Sequence, residues 1–139
     1  DSDGTIYGIG SVSWQKEIPG DSRESGDVYY ESSYKNFLCS INSHGKVLWK
    51  KELSQPYYRF LSKGLGLQNG RLVAVGFETT GDINILEFST EGELLGEWRA
   101  SMPDKPQTNI NSVFFGNNGE IYLTGQPKGE VYIIRLTRR

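Results

Sequence analysis

One short phrase recurs three times in this chain of 139 residues, and it limits what the chain can fold into. "SDGTIYGIG" occupies residues 2–10, "QNGRLVAVG" 68–76 and "NNGEIYLTG" 117–125. Each copy sets a dipeptide ending in glycine before an apolar run. A type I′ hairpin turn needs positive φ at both central residues, which Asn-Gly and Asp-Gly tolerate. The phrase therefore predicts a tight turn that feeds a strand.

A second phrase follows each first one: "NFLCSINSHGKVLWKKEL" at 36–53, "INILEFSTEGELLGEWRA" at 83–100 and "EVYIIRLTRR" at 130–139. Gly4, Gly70 and Gly119 lie 66 and 49 residues apart, and Ile41, Phe88 and Leu136 lie 47 and 48 apart. Trp49 and Trp98 are separated by 49. The unit is close to 48 residues, and the first copy carries an insertion of about 18 more between its two phrases.

Each unit predicts four short strands, a to d. In the middle copy they fall near "YRFLSKGLGLQ", "RLVAVGFE", "INILEFS" and "LLGEWRA". Asn69-Gly70 joins a to b, and Glu91-Gly92 joins c to d. Asp3-Gly4, Asn118-Gly119 and His44-Gly45 fill the corresponding slots. "LVAV" and "IYLTG" are near-continuous apolar runs, which suit strands covered on both faces. Composition agrees: 17 glycines, 12% aromatics and only two alanines favour strands and turns over helices. No segment holds a 3.6-residue apolar period over three turns.

The expected fold is all-β, a β-propeller-like array of four-stranded antiparallel meander blades with about three incomplete copies. The copies run 1–53 (with the insertion inside 14–35), 54–100 and 101–139. The residues "NGEIYLTG…GEVYIIRL" resemble bacterial propeller repeats of the SBBP and delta-sixty type, and more loosely quinoprotein-like and Kelch-like blades. Such repeats often carry Asp just after strand c, where this chain has Asn42, Ser89 and Thr137. A ring typically needs four to eight blades. The chain opens inside the first a–b turn and ends after the third strand c. We therefore expect the remaining blades from further sequence or from other chains, with a non-propeller meander or sandwich as the alternative.

The a–b and c–d turns share one rim, and the longer b–c and d–a connections share the other. The longer connections are 12–35, 54–60, 78–82, 101–109 and 126–129. Binding residues concentrate in long loops on a rigid scaffold. The insertion "WQKEIPGDSRESGDVYYESSYK" brings Trp14, Tyr29, Tyr30 and Tyr34, and its rim neighbour "SQPYYRF" brings Tyr57, Tyr58 and Arg59. A flat apolar ring with a polar tip suits a peptide, glycan or protein partner, and these seven residues are the candidate ligand-binding set.

Other chemistries lack their residues. His44 is the single histidine, so no histidine triad or multi-histidine metal site can be built within the chain. The "DSDG" start has Val12 where a calcium loop needs its closing Glu. Gly64 and Gly66 in "GLGLQNG" lead into a hairpin, not a helix, so a phosphate cradle is disfavoured. Cys39 is expected to be a small buried hydrophobe. No catalytic residue, metal or cofactor is assigned. A net charge of −2 gives no attraction to nucleic acid, and no apolar run is long enough for a membrane-spanning helix. The leading expectation is a non-catalytic binding module; the alternative is the C-terminal part of a propeller lyase, hydrolase or quinoprotein. The resemblance implies an extracytoplasmic setting.

Overall fold

A computed structural model describes residues 4–19, 28–53, 61–77, 82–100, 110–125 and 131–137, with the backbone alone described at 17–19, 28–32, 34, 61, 62 and 77. The protein is all-β. Its described strands are β1 (Ile6–Pro19), β2 (Val28–Ile41), β3 (Val47–Leu53), β4 (Leu61–Gln68), β5 (Arg71–Phe77), β6 (Ile83–Phe88), β7 (Leu94–Ala100), β8 (Ile110–Phe115), β9 (Ile121–Gly125) and β10 (Tyr132–Leu136). They form three antiparallel sheets, in which β1–β3, β4–β7 and β8–β10 lie side by side in chain order. Each sheet is thus a meander drawn from one contiguous stretch. No closed sheet occurs among the described residues.

The middle sheet is buried on both faces because alternate residues of β5 and β6 serve different neighbours. Leu72, Ala74, Leu86 and Phe88 pack with Leu38 and Leu53 of the first sheet. Val73, Val75, Ile83 and Ile85 pack with Ile110, Ile121 and Leu123 of the third. Every residue of β6 is buried, the polar Asn84 and Glu87 included, and so is every residue of the near-continuous run "LVAV" in β5. Full burial of one such side chain is worth about 1.5–3 kcal/mol. The run "IYLTG" behaves differently from expectation. Ile121 and Leu123 are buried, whereas Tyr122 and Thr124 are half-buried, since the outer face of the third sheet has no sheet against it among the described residues.

Glycines set the turns. Gly4, Gly45, Gly70, Gly92 and Gly119 all have φ between 73° and 83°. The expected type I′ geometry holds at Asn69-Gly70, where Asn69 also has positive φ and Gln68 pairs directly with Arg71. It does not hold at His44-Gly45, Glu91-Gly92 or Asn118-Gly119, where only the glycine is left-handed. Those three are wider turns in which the glycine N–H donates back three residues, to Asn42, Ser89 and Gly116 respectively. A three-residue loop closed by a left-handed glycine is the next commonest hairpin after the two-residue kind. Asn42 Oδ1 accepts the His44 and Lys46 N–H groups at 3.0 and 2.9 Å. Ser89 Oγ does the same for Glu91 and Glu93. The polar residue after strand c is therefore a turn brace.

Three glycines, Gly64, Gly66 and Gly92, are required by space. A Cβ on Gly66 would lie 2.4 Å from the Phe115 ring, and one on Gly92 would lie 2.8 Å from the Trp49 ring. Gly64 and Gly66 thus admit Val113 and Phe115 of the third sheet.

The described parts of the insertion, 14–19 and 28–35, are strand and not loop. β1 and β2 pair without interruption from Ile6↔Ile41 to Pro19↔Val28, while β3 accompanies β2 only as far as Asn36. The last eight pairs, beginning at Val12↔Lys35, make a two-stranded ribbon that projects from the first sheet. Alternation in "VSWQKEI" and β-branched and aromatic residues in "VYYESSY" favour it. Cys39 is half-buried, not buried, because its face of the first sheet has no sheet against it among the described residues.

Gly66→Ala should cost about 1–3 kcal/mol, the usual range for overpacking, and Phe115→Leu in that background should recover most of it; urea denaturation checks this, and an unchanged midpoint would show spare room beside the ring. Asn42→Ala should lose about 0.5–1.5 kcal/mol per net hydrogen bond, whereas Asn42→Asp keeps the acceptor and should lose less.

Candidate functional site

The ribbon places the sequence-predicted residues unevenly. Trp14 lies on β1 opposite Ser33 and is 42% exposed; Val12, two residues before it, is 53% exposed. Position 29 pairs with 18 and shares the ladder face of Trp14, while 30 and 34 pair with 17 and 13 on the opposite face. The four aromatic positions of the insertion are therefore split between two faces. Tyr57, Tyr58 and Arg59 lie outside the described residues.

The ribbon edges matter as much as its faces. Beyond Asn36, neither β1 nor β2 has a further strand beside it among the described residues. Along each edge the outward backbone N–H and C=O groups are paired with no other strand among the described residues, the arrangement that accepts an added strand. At its base, Lys35 Nζ meets the Glu52 carboxylate at 2.9 Å and Lys50 Nζ sits 3.8 Å from the centre of the Phe37 ring. Both are surface contacts that fix long side chains along the sheet at little net gain.

A second concavity lies on the rim of the tight turns, where sequence reasoning placed no function. It is a cleft of about 510 Å³ between the middle and third sheets, lined by Gln68, Arg71, Glu87, Trp98, Glu120 and Thr137, among others. Arg71 Nη1 reaches Glu87 Oε2 at 3.1 Å, with the carboxylate largely covered and the guanidinium half open. Gln68 Nε2 donates to the Gly116 and Glu120 carbonyls at 2.9 and 3.2 Å. Gln68 reaches those carbonyls because the two sheets stack, whereas Arg71 meets Glu87 across the β5–β6 pair, and no local motif announces either contact. Among the described residues no group of three His, Cys, Asp or Glu side chains could hold a metal ion, and no helix is long and apolar enough to cross a membrane.

Buried polar atoms at the same sheet interface carry a cost. The Trp98 indole N–H and the Tyr132 hydroxyl are buried without a hydrogen-bond partner among the described residues. Burial raises the Tyr132 phenol above its ordinary value near 10.0. No protein-family model matches the chain, and no curated protein matches it significantly.

Tyr132→Phe removes the stranded hydroxyl and should stabilise the protein by up to about 1–3 kcal/mol, measured as a rise in Tm. The raised phenol keeps its proton in the folded state where the unfolded chain has lost it. Its contribution is therefore complete below the unfolded pKa and lost as pH climbs above about 10. The Phe variant should lose less stability over that alkaline interval.

Proposed function

We propose that this protein is a non-catalytic recognition module whose three sheets are successive blades of a propeller-like array, and that its projecting ribbon captures an extended peptide segment of a protein partner. The observation that carries this reading is Trp14. A large, half-open aromatic stands on a two-stranded ribbon whose edges have no further strand beside them among the described residues. Tryptophan is prominent among the residues that dominate binding energy. Free strand edges supply directional hydrogen bonds to an added strand, and the alternating side chains beside them supply selectivity.

The blade reading is supported by the meander order of each sheet and by left-handed glycines at matching places. It is supported too by the resemblance of "NGEIYLTG…GEVYIIRL" to bacterial propeller repeats. That resemblance also favours an extracytoplasmic setting.

A displayed library of linear peptides tests the function. Binders should be recovered whose affinity falls at least ~10-fold on Trp14→Ala with the circular dichroism spectrum unchanged. Replacing residues 15–32 by Asn-Gly, which joins the paired Trp14 and Ser33 by a tight turn, should leave the fold intact and abolish binding. Binders indifferent to both changes, or found only on a glycan array, would overturn peptide capture by the ribbon.

A further inference from the structure

The two ends of the stack carry the two halves of a contact that the chain already makes twice. Residues at fixed sequence offsets take the same place in successive sheets. Ile83 and Ile85 face the third sheet and are fully buried. Of their counterparts 48 residues on, Val131 stands just before β10 at 78% exposure and Ile133 lies on the outer face of the third sheet at 71%. Phe114 lies on the same face, across from Tyr122, at 57%. At the other end, Leu72 follows its turn glycine by two residues, faces the first sheet and is 1% exposed. Ile6 follows Gly4 by two residues and is 59% exposed on the outer face of the first sheet.

We propose that the outer face of the third sheet seats the outer face of the first sheet of a second copy of this chain, head to tail. This stacking rests on the blade reading given above, and it repeats the packing that joins the sheets within the chain. The face that Ile83 and Ile85 present to the third sheet is the one that Ile133 presents to solvent. The face by which Leu72 and Leu86 receive the first sheet is the one that Ile6 and Cys39 present to solvent. The size relation also matches. Within the chain, Gly66 makes room for the Phe115 ring. On the outer face of the third sheet the bulk is on the other side, at Phe114, and the receiving face offers Gly8 and Gly10, with open space over Gly10. Because the two faces differ, the contact is heterologous, so it propagates until a ring closes.

The test uses the whole chain and two single variants, Ile133→Glu on one face and Ile6→Glu on the other. Both positions are exposed, so folding should survive, and circular dichroism verifies it. Sedimentation should show the natural chain associating as concentration rises. Each variant alone has one spoiled face, so its association should weaken at least ~10-fold. An equimolar mixture restores one good contact between the intact first sheet of Ile133→Glu and the intact third sheet of Ile6→Glu. It should give one-to-one dimers and stop there. A natural chain that stays monomeric throughout, a variant that still associates alone, or a mixture that does not pair would each overturn the proposal. The ribbon-trimmed protein should associate normally while losing peptide binding. Loss of association there would move the contact off the sheet faces, whereas a monomer that still binds peptide would sink self-association alone.

Discussion

Burial of β5 and β6 on both faces is the constraint on which the rest of the structure depends. A sheet of three or four short strands needs an apolar face covered before it is stable. Here one sheet covers two others. Leu72, Ala74, Leu86 and Phe88 supply half of one core, and Val73, Val75, Ile83 and Ile85 supply half of the next. The first and third sheets each find one partner, and that partner is the same sheet. Loss of the middle sheet would strand both, so the described sheets are energetically tied although no ladder joins them.

The features legible in the sequence were the local ones. A turn glycine is a backbone requirement expressed at one residue, and all five registered glycines take the left-handed conformation. Strand order was legible for the same reason, since each meander pairs neighbours in the chain. Turn type was less so, because Asn118-Gly119 looks like Asn69-Gly70 yet sits in a wider loop that closes on Gly116. The ribbon was hidden by composition. Its Ser, Glu and Lys suggest a loop, while pairing between two polar alternating strands lets them stand as a ladder. Trp14 emerged from the sequence, but the split of the aromatic positions between two faces depends on register, and a single residue of slip would reverse it.

The turn rim shows what stacking adds. Gln68 ties the end of β4 to carbonyls of the third sheet, and Arg71 meets Glu87 across a strand pair. A polar tie at this rim and an apolar core behind it hold the middle and third sheets in one relative position. The ribbon springs from the first sheet, away from that tie. Recognition at the ribbon therefore places its demands on β1 and β2, whose pairing is the longest among the described residues.

The fit of Phe115 over Gly66, and of Trp49 over Gly92, has a consequence for how the chain reaches its fold. Sheets built on one plan are prone to confusion during folding, since a newly made sheet can dock on the wrong neighbour or on another molecule. A ring that requires a missing side chain beneath it works as a key. The third sheet settles fully on the middle one only where glycines meet Val113 and Phe115, and a sheet displaced by one strand or two residues would rest its aromatic on a side chain instead. The glycines thus make sheets of similar design distinguishable from one another, and favour the chain's own order of assembly over its near-copies.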